Sequence, residues 1–104
     1  MLDSLLQAVR TAAGDRAWGA AVRLAREGAV DGVSDDGEEV RLRVKAPGKH
    51  VFHDVYLWPD EPDWGCDCDL PGDACVHVAA AAIALDQARK RGDTLPEPSV
   101  TRKV

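Results

Sequence analysis

The sequence predicts an α+β fold: a small antiparallel β-meander of three to four strands, with two helices before it and one after it. Three observations point there. Apolar residues recur at helical spacing over the first quarter of the chain and again near its end. Between those stretches, from about Val30 to Cys68, the period falls to two, and Asp-Gly and Pro-Gly pairs suited to turns interrupt it. At 104 residues, 45% of them apolar, the chain has the size of one domain and shows no internal repeat. That domain is expected over residues 1–91, with 92–104 a flexible tail or linker.

In the first helix, residues 2–13, Leu2, Leu5, Leu6, Val9 and Ala12/Ala13 form one face, and Gly14 stops the run. Asp15 can cap the second, 15–27, which carries Ala17, Trp18, Ala21, Val22 and Ala25 on one face and ends at Gly28. Gly19 inside it costs about 1 kcal/mol. Trp18 is read as core packing rather than as a partner anchor.

Val30 to Ser34 reads as a weak strand, and Asp36-Gly37 suits a hairpin turn. Val40, Leu42 and Val44 alternate with Arg41, Arg43 and Lys45, a half-buried strand with a basic outer face. After Pro47-Gly48, a third strand over Val51–Trp58 puts Val51, Val55 and Leu57 on one face and Phe52, Tyr56 and Trp58 on the other. The alternation alone does not say which face is buried; the aromatic stripe is read as core, and as the first place to seek a partner site should it prove exposed. Trp64 to Cys68 forms a short last strand. The final helix, 76–91, has an alanine run of high helix propensity that lets it approach a sheet closely, with Arg89-Lys90-Arg91 at its negative end. Pro96 and Pro98 mark the tail.

All three cysteines lie within ten residues, followed by a histidine, as Cys66-x-Cys68-x6-Cys75-x-His77. Isolated buried cysteines have no reason to bunch in this way. In an extended segment Cys66 and Cys68 share a face with α-carbons roughly 6.6 Å apart, and two sulfurs on one zinc need to come within only about 3.8 Å. Leu70-Pro71-Gly72-Asp73 reads as a type II turn that returns the chain, bringing back Cys75 at the helix start and His77 in its first turn. The positive helix end there favours thiolate. Three sulfurs and an imidazole suit one Zn²⁺, and a closed set of four leaves no place for water, so the metal is expected to be structural.

This pattern resembles the SWIM zinc-finger signature, C-x-C, a variable spacer, then C-x-H. The match covers all four ligand positions, with a spacer at the short end of the family's range. The resemblance implies a ββα-like zinc module used for binding DNA or proteins, of the kind found in transposases, chromatin-remodelling-type ATPases and many bacterial proteins, often beside a larger domain. The tail would then be a junction to such a neighbour or to a separately encoded partner. The CDGSH iron–sulfur pattern also uses three cysteines and a histidine, but it wants Asp-Gly after the third cysteine and the histidine several residues on. Val76-His77 departs from it.

No run of 18 apolar residues indicates a membrane span. The N-terminus lacks a basic-then-apolar signal pattern, and an odd number of cysteines argues against a disulfide framework, so a reduced, cytoplasmic setting is expected. His50 and His53 beside Asp54 could suggest acid–base chemistry or a substitute ligand, but are read as surface residues. With every cysteine given to the metal and neither a nucleophile motif nor a phosphate loop, no enzyme is expected. The net charge of −5 also argues against a free-standing nucleic-acid binder. No lysine or arginine stands between His50 and Ala88, while Asp54, Asp60, Glu61, Asp63, Asp67, Asp69, Asp73 and Asp86 are acidic. Such a knuckle repels phosphate. The expected function is therefore a structural zinc-binding module acting as a protein–protein adaptor, its metal end docking a partner with a basic face. The alternative is a DNA-binding zinc finger using the Arg41/Arg43/Lys45 stripe.

Overall fold

The computed structural model describes residues 2–35, 38–45, 52–67 and 74–92. Its element order is α1 (Leu2–Arg26), β1 (Val30–Asp35), β2 (Val40–Lys45), β3 (Phe52–Trp58), β4 (Asp63–Cys66) and α2 (Val76–Arg91). The expected turns at Asp36-Gly37, Pro47-Gly48 and Leu70–Asp73 lie outside the described residues, as does the tail from Asp93 onward.

Where two N-terminal helices were expected there is one helical element interrupted at Gly14, whose φ of 85° and ψ of 167° are not helical. That backbone region is essentially reserved for glycine. The break is thus where the sequence put it, but no loop separates the two arms. Leu5 and Val9 before the break, and Ala21 and Leu24 after it, are buried. Trp18 packs partly buried against the core, with the Arg10 guanidinium 5.5 Å from its ring centroid. Gly28, at φ 75°, ends the element: its N–H donates to Ala25 O and that of Ala29 to Leu24 O, so two terminal carbonyls are satisfied by a left-handed cap.

The four strands form an antiparallel sheet in chain order, β1-β2-β3-β4. Gly32 pairs with Leu42 and Ser34 with Arg41, so Val33 is an extra residue, a bulge on an edge strand. Across β2 and β3, Leu42 faces Val55, Val40 faces Leu57 and Val44 faces His53, while Arg41 faces Tyr56, Arg43 faces Asp54 and Lys45 faces Phe52. The first set is the inner face, with Val40, Leu42, Val44, Val55 and Leu57 all buried. The second faces outward.

This overturns the core assignment of the Phe52, Tyr56, Trp58 stripe. Phe52 is 48% exposed, and Tyr56 and Trp58 are half-buried on the open face. Directly opposed residues of an antiparallel pair share a face. The unambiguous alternation of β2 therefore decides which side of β3 is buried.

Helix α2 touches all four strands and also carries α1, so it lies between the sheet and the first helix. Val78 to Leu85 are buried without interruption, as a helix enclosed on all sides requires. Alanine there keeps both neighbours close. No helix among the described residues is long and apolar enough to cross a membrane.

Candidate metal centre

Two chain segments meet at one end of the inner sheet face. The first is the end of β4, where Cys66 pairs with Val55 and so shares the inward face of the buried Val55. The second is the start of α2. Cys75 is its N-cap, extended at φ −91° and ψ 175°, and its side chain makes no capping hydrogen bond. Its Sγ lies instead 3.7 Å from His77 Nδ1. Cys66 Sγ lies 3.9 Å from the same nitrogen.

The ligand atoms of Cys66, Cys75 and His77 all fall within 4.8 Å of one another. Bond lengths of about 2.3 Å to sulfur and 2.0–2.1 Å to nitrogen give tetrahedral edges of roughly 3.6 Å between sulfur and nitrogen and 3.8 Å between sulfurs. The two sulfur–nitrogen separations, 3.7 and 3.9 Å, are close to the first edge, and the third separation, at most 4.8 Å, leaves the sulfurs up to about 1 Å to close. The donor set, thiol sulfur with imidazole, is that of a soft-ligand site. Cys68, the fourth expected ligand, lies outside the described residues.

His77 is 4% exposed. One face of its ring is covered by His53, with centroids 4.3 Å apart and planes at 29°. The reading of His53 as a surface residue is therefore corrected: it sits on the inner face opposite Val44, with its side chain 23% exposed. Asp67, the residue after Cys66, holds it through a 3.0 Å hydrogen bond from His53 Nδ1 to Asp67 Oδ1. A carboxylate only accepts, so this bond places the His53 proton on Nδ1. Two-residue parity with Val55 and Leu57 was the signal that could have found His53. His50, its neighbour in the sequence argument, lies outside the described residues.

The opposite, outer face carries its own ordered row. Arg41 is exposed and donates from Nη2 to Tyr56 Oη at 2.8 Å, with its guanidinium carbon 5.0 Å from the tyrosine ring centroid. That hydrogen bond, followed by the neighbouring charges, raises the Arg41 pKa further above its usual value. Tyr56 stacks on Trp58 at 6.2 Å, and Trp58 Nε1 donates to Glu39 Oε2 at 3.2 Å. Arg43 pairs with Asp54 at 3.6 Å and stands opposite Asp31 on its other side. The expected basic stripe is thus acid-flanked at its middle.

No family model, curated protein or solved structure matches this chain. The likeness to SWIM zinc fingers accordingly rests on the residue pattern.

Proposed function

We propose that this chain is a SWIM-type interaction module in which one structural Zn²⁺, held by Cys66, Cys68, Cys75 and His77, fastens the end of β4 to the start of α2. The observation that carries this reading is the convergence of two sulfurs and one ring nitrogen, from segments nine residues apart, within 4.8 Å of one another. With its sulfurs assigned to the metal and its histidine buried, the centre serves to shape a surface rather than to turn over a substrate. Thiolate ligands of this kind suit a reducing compartment such as the cytoplasm.

The partner in this reading is a protein. The outer sheet face offers Arg41, Tyr56 and Trp58, the residue types that dominate interface energetics, with Phe52 exposed beside them. Asp60, Glu61 and Asp63 are exposed around the β3–β4 turn next to Trp58, which favours a partner that presents cations. A photo-crosslinking amino acid at position 52 should capture that partner, and one at the exposed Thr11 on α1 should not. Equal capture at both positions would sink the assignment of the surface. Elemental analysis should find one zinc per chain, lost in Cys66→Ala.

A second reading, DNA binding through Arg41, Arg43 and Lys45, draws on the exposed Arg41 and the aromatic row beside it. Affinity for duplex and single-stranded DNA that falls steeply with salt, and is lost in the Arg41→Ala, Arg43→Ala double variant, would replace the protein reading with it.

A further inference from the structure

We propose that His53, held by Asp67, is a positioning residue for the metal: it fixes the His77 ring in the orientation that presents Nδ1 to the sulfurs, and so sets the affinity of the site. This inference rests on the zinc reading above. An imidazole can ligate through either nitrogen, and only Nδ1 of His77 is placed 3.7 Å and 3.9 Å from the two sulfurs. Something must hold the ring in that flip state before the metal arrives. The flat surface 4.3 Å away is the His53 ring, and the two planes are within 29° of parallel.

His53 is itself held from two directions. Its backbone lies near the end of the β2–β3 ladder on an interior strand of the sheet, paired with Val44. Its Nδ1 is bonded to Asp67 at 3.0 Å, and the Asp67 N–H donates to Asp54 O at 3.3 Å, extending the β3–β4 ladder by one step. Cys66, Asp67, His53 and His77 therefore form a chain of contacts from one metal-binding segment to the other that does not pass through the metal. Partners hydrogen-bonded to a ligand histidine commonly account for 10–100-fold in metal affinity; His53 orients His77 by stacking instead, which sets the expectation at the low end of that range.

The test compares wild type, His53→Ala, His53→Phe and Asp67→Asn, with Leu42→Ala as a variant that weakens the same sheet without touching the site. Zinc affinity is read by competition with a chromophoric chelator, and the ligating nitrogen of His77 from imidazole ¹⁵N shifts. We expect about a tenfold or larger loss of affinity in His53→Ala, with Nε2 ligation appearing beside Nδ1. Asp67→Asn should move the same way by less, and His53→Phe, which keeps a flat ring, should restore Nδ1 ligation. Wild-type affinity and pure Nδ1 ligation in His53→Ala would overturn the inference while leaving the zinc reading intact. An equal affinity loss in Leu42→Ala would also overturn it, by showing that sheet stability alone is being read. A wild-type protein that takes up no zinc would overturn both.

Discussion

At Asp31 two effects oppose each other: burial disfavours its charged form more than the neighbouring Arg43 favours it, so its pKa stands above the ordinary 3.8. A carboxylate whose folded-state pKa is raised binds its proton more tightly in the folded than in the unfolded chain. Its stabilising contribution is complete below pH 3.8 and is lost as pH rises through the higher folded value, leaving a cost at neutrality. Asp31→Asn is therefore expected to raise the melting temperature at pH 7, with the gain shrinking toward zero as pH approaches 3.8. Acid would also strip any thiolate-bound metal, so the quantity to follow is the difference between the two proteins at each pH. A gain that grows on acidification would contradict the assignment. Gly14 allows a second single-residue test. A Cβ built there meets nothing within 4 Å, so Gly14→Ala adds no clash and isolates the backbone cost of φ 85°. That cost is about 1–3 kcal/mol, measurable as a lower urea midpoint at unchanged slope. At this scale the gathering of Cys66, Cys75 and His77 and the break at Gly14 were legible because each rests on local chemistry, while Cys68 lies outside the described residues. His53 was not, because its role depends on which face of β3 is buried, and that is settled only by pairing with β2.

Among the elements, α2 decides the architecture. Its span, Val76–Arg91, follows from the sequence, since the alanine run, the basic last turn and Gly92 agree on one helix. Its enclosure is encoded less openly, in the lack of any polar residue from Val78 to Leu85, which leaves no face to give to water. The alanines act as spacers between two layers, and methyl-sized side chains let sheet and helix α1 close on the same helix. Ala80 is 0% exposed. Enlarging it should push one layer away, so Ala80→Leu is expected to destabilise by about 1–3 kcal/mol in chemical denaturation. A neutral or stabilising result would mean that a void lies beside α2. Strand β3 shows the opposite case. Both of its faces read as apolar, and only register against the alternating Arg41, Arg43 and Lys45 sends its aromatic residues outward. Periodicity of one strand cannot report a choice made by two.

At the scale of the whole molecule, the candidate metal centre and the core meet at the N-terminus of α2. The helix that carries Cys75 and His77 at its start also carries α1 on one side and the sheet on the other. Releasing its first turn therefore loosens contacts that extend well beyond the Cys66, Cys75, His77 cluster. Apparent zinc binding of roughly 10–16 kcal/mol in small modules equals or exceeds the total stability of a typical domain, about 5–15 kcal/mol. Metal loss is thus expected to disorder the stretch from the β3–β4 turn through α2, residues 59–91, rather than to leave an intact shell around an empty site. Trp64, on the inner face two residues before Cys66 and packed against the core, is the natural reporter. A strong chelator should abolish its near-ultraviolet circular dichroism and lower the melting temperature, Cys75→Ala should do the same without chelator, and added zinc should reverse only the first. The apolar core offers the competing outcome, since Leu5, Val9, Leu42, Val55, Leu57 and Val78 are all at most 1% exposed and need no metal to pack. An unchanged near-ultraviolet spectrum after complete removal of zinc would show that this core stands alone, with the metal fastening only the turn at its edge.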